Sequence, residues 1–202
     1  MSRGYSLIEI LVAVAIFTIV VAGPTGFFVS SLKGQIKSLA SQKLLDNTSY
    51  TLEYISRSLR MAKKEIGCSD INDPTTCPCL KTQGYGFNYE NPDGDISAIR
   101  FINYNGECQE FFWDKNDNRL DKNDNRLKES KNGATPVALT SEELEIISLK
   151  FNLSGESQDD TDQPRVTLFL DLKGGKGQKR PELRPEIKIQ TTISQRNLDV
   201  PY

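Results

Sequence analysis

The stretch RGYSLIEILVAVAIF, Arg3 to Phe17, opens a long apolar run with one carboxylate, Glu9, set inside it. From Ile10 to Leu32 no side chain is charged. Wound as a helix at about 1.5 Å per residue, that run reaches roughly 35 Å, enough to cross a hydrocarbon core of about 30 Å. A buried core helix and a cleaved secretory signal are the competing readings. The signal needs a short apolar core followed by an A-x-A-like site. Here Gly23-Pro24-Thr25-Gly26 leads into another helical pattern instead, so a retained membrane helix accounts best for the run. Glu9 is then the anomaly: a lone carboxylate inside the membrane costs about 2–3 kcal/mol or more, and needs a partner. Pro24 lacks the N–H that the Val20 carbonyl would accept, and the nearby glycines weaken the turn, so a bend and a place to unwind are expected there.

The order Gly4, Tyr5, Ser6, Leu7, Ile8, Glu9, followed by the unbroken apolar stretch, resembles the class III signal of type IV pilins and pseudopilins, G-[aromatic]-[ST]-L-[IVL]-E. The resemblance implies that a prepilin peptidase cuts between Gly4 and Tyr5 and methylates Tyr5 as the new terminus. It also implies that Glu9 pairs with the terminal amine of a neighbouring subunit. That pairing explains the anomaly, because an opposite charge a few Å away in a medium of low dielectric offsets the desolvation. Tyr5 stands where the family usually has Phe, and Pro24 lies slightly before the family's usual helix-breaking proline. Lys33, Lys37 and Lys43 follow the span, so positive charge alone does not place the remainder outside the cytoplasm. That orientation follows from the resemblance and from the cysteines.

The 202 residues carry a net charge of −2 with a mean hydropathy of −0.46, which suits one soluble domain plus an appendage. A balance of 25 basic against 27 acidic residues leaves no basic footprint for nucleic acid. Histidine is absent, which removes the commonest general base, the Ser-His and Cys-His nucleophile pairs and the commonest transition-metal ligand. Cys68, Cys77, Cys79 and Cys108 form an even set, as expected of disulfides outside the cytoplasm. A zinc ribbon would need a second knuckle beside the tight Cys77-Pro78-Cys79 pair, and there is none. Cys77 and Cys79 are poorly placed to bridge each other, so Cys68 and Cys108 are their expected partners, in either combination.

Ser31 to Lys64 reads as amphipathic helix. Leu52, Ile55, Leu59, Ala62 and Ile66 form its stripe, and no Gly or Pro lies between Gln35 and Ile66. Strand-like runs follow at 85–89, 98–104, 110–113, 145–153, 166–172 and 187–194, several with period-2 alternation. The expected fold is α+β: one long N-terminal helix packed on an antiparallel β-sheet head. The corresponding plan is a leader at 1–4, a transmembrane and assembly helix at 5–32, an amphipathic helix at 33–66 and a β-rich extracytoplasmic head at 67–202. The layout from EIISLKFNLSG through PRVTLFLDL to IQTTISQRN resembles the J-type minor pseudopilins and their minor-pilin relatives.

Between the strands, DKNDNRL occurs twice in tandem from Asp114 to Leu127. Asp114, Asn116 and Asn118 match the first ligands of a calcium loop, and Asp121, Asn123 and Asn125 repeat them. Arg119 replaces the loop's glycine and Asn125 its final acid, so a solvated hairpin tip rich in Asx turns is the plainer reading. No cofactor other than calcium comes into consideration. The resemblance implies a structural subunit and no enzyme: a minor pilin or pseudopilin of a pilus, secretion or DNA-uptake filament, near its initiation or tip complex. Its partners would be other pilins or pseudopilins, the prepilin peptidase and an inner-membrane assembly platform. The chain would be a single-pass membrane protein before assembly, with its head in the periplasm or at the cell surface. The competing reading is a membrane-tethered binding module, adhesin-like or calcium-dependent, with no cleavage after Gly4 and no need for Glu9.

Overall fold

A computed structural model describes residues 6–70, 72–115, 125–156, 162–177 and 180–196. The chain starts as a single helix, α1 (Leu7–Arg60). Strong helix formers recur from Gln35 onward, where no Gly or Pro intervenes. The helix also runs through Gly23-Pro24-Thr25-Gly26 as one continuous element. Proline removes one bond there, while the Thr25 hydroxyl donates back to the Val21 carbonyl at 2.8 Å.

The rod stops at Arg60, short of the expected Ile66, because distant groups take over its last carbonyls. The Tyr89 hydroxyl donates to the Leu59 carbonyl at 2.6 Å, and the Arg196 N–H to that of Arg60 at 2.9 Å. Just beyond, Gln195 Nε2 donates to the Ala62 carbonyl at 2.7 Å. These donors satisfy groups that a helix end otherwise leaves orphaned. The chain then runs extended and Lys63 bridges Ile102. In consequence Glu65 turns inward (1% exposed) and Ile66 outward (72%), the reverse of the stripe expected for a helix.

Two antiparallel sheets follow, where a single one was expected. The first is a meander of β1 (Tyr89–Glu90), β2 (Ala98–Ile102), β3 (Cys108–Trp113), β4 (Leu127–Lys131) and β5 (Val137–Ala138). The second joins β6 (Glu145–Ser154), β7 (Arg165–Lys173) and β8 (Glu186–Ser194). All six expected runs contain strand, although only Tyr89 of the first does. Neither β4 nor β5 was expected, since LKESK shows no alternation and buries only Leu127. The sheets meet where the Phe151 N–H donates to the Ile96 carbonyl at 2.7 Å and the Asn91 side chain donates to the Ala98 and Phe151 carbonyls.

One core fills the space between helix and sheets. Val166, Leu168, Leu170 and Leu172 of β7 alternate inward, facing Leu44, Ile55 and Leu59 of α1 and Phe101 and Phe111 of the first sheet. Each such side chain fully buried contributes about 1.5–3 kcal/mol. Thr48 and Thr51 share the buried face of α1, and their hydroxyls donate to the Leu44 and Asn47 carbonyls. No polar atom of either threonine is stranded.

Candidate assembly helix and clasped head

Every residue from Ser6 to Leu39 is exposed, including Leu7 (80%), Ile19 (74%) and Phe27 (79%). This part of α1 is long and apolar enough to cross a membrane, and none of its apolar window is buried by the rest of the chain. An apolar surface of that length marks a site that something else covers. Glu9 lies in the first turn, where the helix dipole favours a carboxylate, and makes no ion pair among the described residues. A Cβ added at Gly23, Gly26 or Gly34 would meet nothing, so no contact within this chain requires those glycines. Gly4 and Tyr5 lie outside the described residues.

The cysteines clasp the segment after α1 to the first sheet. Cys68 bonds to Cys77, and Cys79 to Cys108 at the start of β3. Cys77 and Cys79 do not bridge each other, as expected, and the two pairings join consecutive cysteines. Glu65 anchors the same loop from inside. Its Oε1 accepts the Gly67 N–H at 2.9 Å, and its Oε2 accepts those of Cys79 at 3.0 Å and Leu80 at 3.3 Å. A buried carboxylate is tolerable only when donors surround it, and three backbone amides do so here. Sequence reasoning missed Glu65 because it was counted as part of a helix.

A second buried acid works across strands. Glu90, fully buried, accepts from the Thr82 and Gln83 N–H groups and pairs with Arg100 at 3.0 Å. Arg100 also pairs with Glu110 at 2.9 Å, so three neighbouring positions of β1, β2 and β3 form one ladder. Burial works against the charge on Arg100, but the hydrogen bonds and charges of Glu110 and Glu90 more than offset it and raise its pKa. Burial pushes the Tyr89 hydroxyl well above its usual range. These groups are occupied in holding the fold. Arg100 and Glu110 also line an open cleft of about 630 Å³ beside Cys79 and Cys108, but there their charged groups are spent on one another and on Glu90.

The tandem repeat is only partly described. Asp114 is held by Lys128 at 2.6 Å, and the Asn125 side chain accepts from the Trp113 indole at 2.7 Å and donates to the Ile146 carbonyl. Asn116, Asn118, Asp121 and Asn123 lie outside the described residues. Among the described residues no group of acids or thiols is arranged to hold a metal.

Against this geometry the comparisons with known proteins single out one end of the chain. Residues 1–23 match the family model of the prokaryotic N-terminal methylation motif. The exposed half of α1 thus carries a type IV pilin-like class III signal. The match supports a subunit processed as pilins and pseudopilins are, and fits membrane anchoring by this helix. No curated protein and no solved structure matches the chain.

Proposed function

We propose that the chain is a minor subunit of a type IV pilus-like filament or type II secretion pseudopilus, acting in an initiation or tip complex. Prepilin peptidase cuts after Gly4 and methylates Tyr5. The chain then enters the filament through α1, beside other pilins or pseudopilins, at an inner-membrane platform. The observation that carries this reading is the methylation motif seated on a helix whose first half is wholly uncovered and whose second half is the spine of the head. Glu9 supplies the pairing charge: at about 4 Å and an effective dielectric near 20, attraction to a neighbour's terminal amine is about 4 kcal/mol, of the order of the cost of placing the carboxylate in lipid. Pro24 lets α1 yield locally as subunits pack. The two disulfides favour a head outside the cytoplasm. The minor role rests on the resemblance of the β6–β8 layout to J-type heads. Catalytic residues and a cofactor form no part of the proposal.

Mass spectrometry of the native protein tests the pathway directly. The expected chain begins at Tyr5 with one added methyl. A chain retaining residues 1–4 would refute processing and favour a tethered binding module. Glu9→Ala is expected to leave membrane insertion intact and block incorporation into filaments; normal incorporation would sink the role of Glu9.

A further inference from the structure

At the far end of α1 a cleft of about 700 Å³ opens between the last two helical turns and the end of β8. Arg57, Arg60 and Arg196 line it, with the hydroxyl groups of Ser56, Thr192 and Ser194. The Arg196 N–H bond to the Arg60 carbonyl holds two arginines from distant parts of the sequence side by side. Arg57 reaches Glu53 at 3.4 Å, with both side chains largely exposed (76% and 72%). Arg60 and Arg196 form no ion pair among the described residues. A helix C-terminus favours cations, which accounts for Arg57 and Arg60. It does not account for Arg196, which lies two residues beyond the end of β8, or for three guanidinium groups around one cavity in a chain of net charge −2.

We propose that this cleft binds a phosphate-class oxyanion carried by a ligand from solution. Guanidinium forks match phosphate oxygens in pairs, and the Ser56 and Ser194 hydroxyls add neutral donors, while that of Thr192 is shared with Thr167. Among the described residues Glu53 is the one acid on the rim; it opposes the ligand and limits affinity. Lipid headgroups are a poor source, because Arg60 lies about 40 Å along the helix axis beyond Leu32, where the uncharged run ends. That last point rests on the membrane reading of α1; the binding itself does not.

The test is calorimetric titration of the full chain, in a nonionic detergent free of phosphate, with inorganic phosphate and with tripolyphosphate. Saturable binding that weakens with added salt is expected. Arg60→Gln and Arg196→Gln are each expected to weaken it about threefold, and the double variant about tenfold. Glu53→Gln should tighten it about threefold, a gain that no folding defect can mimic. Lys150→Gln, which removes an exposed charge from β6, should leave it unchanged. Saturation by phosphate alone assigns a free oxyanion as the ligand; saturation by tripolyphosphate only assigns a chain of phosphates laid along the arginines. If neither probe binds, or if Lys150→Gln loses as much, the proposal is overturned, the latter by showing diffuse attraction. Failure here with a methylated Tyr5 terminus would leave the filament reading standing.

Discussion

Replacing Glu65 with alanine removes the acceptor of three backbone N–H groups at once. Those of Cys79 and Leu80 are buried, and each left unpaired costs about 1–3 kcal/mol. Gly67 is exposed, so its N–H regains water and adds little. The expected loss is about 4 kcal/mol, a large share of the roughly 5–15 kcal/mol that holds a domain together. With 1 kcal/mol worth about 2–4 °C in a head of this size, Tm should fall by roughly 8–16 °C. Glu65→Gln keeps one acceptor oxygen and turns an NH2 toward the other donors, so roughly half of that loss is expected. The assay is thermal unfolding of the full chain in nonionic detergent, followed by Trp113, the sole tryptophan, whose indole is held by Asn125. A fall of less than about 2 °C in the alanine variant, with both disulfides intact, would refute the reasoning. It would mean that water reaches the amides and that the carboxylate fastens nothing.

Three further outcomes are expected. Removing Cys79–Cys108, which closes a separation of 29, should cost about 3.6 kcal/mol, against about 2.6 kcal/mol for Cys68–Cys77 with a separation of 9. Urea midpoints of the paired Ser variants test that order. The Tyr89 hydroxyl titrates higher in the folded head than in the unfolded chain, so the folded state keeps its proton as pH rises above about 10. Its contribution is therefore fully present below that pH, and above it stability should fall by about 1.4 kcal/mol per pH unit. Tyr89→Phe should flatten that fall in alkaline melts while lowering stability near neutrality, since the Leu59 carbonyl loses its donor. Leu59→Ala, at a fully buried position, should cost about 2–5 kcal/mol in the same melts.

The parts that were legible share a cause. The N-terminal helix could be read because its apolar run is continuous, and the same class III signal matched the methylation motif. Strands β6, β7 and β8 were legible from their alternation, because each has one face on the core. Cys77 and Cys79 could be ruled out as partners from spacing alone. Choosing between Cys68 and Cys108 required knowing that β3 returns beside the loop. The division into two sheets depends on contacts between the Asn91 side chain, Ile96 and Phe151, which no local pattern announces.

By itself, then, the sequence determined where the chain meets an apolar medium, which segments alternate, and which side chains chemistry lacks. Those follow from steric preference and hydropathy, which act between near neighbours. Only the tertiary structure decided where α1 ends, that Glu65 points in and Ile66 out, and that Arg60 and Arg196 stand together. Each depends on satisfying polar groups with donors from afar: Tyr89, Gln195 and Arg196 finish the helix. The amides of Gly67, Cys79 and Leu80 keep the Glu65 carboxylate in the interior.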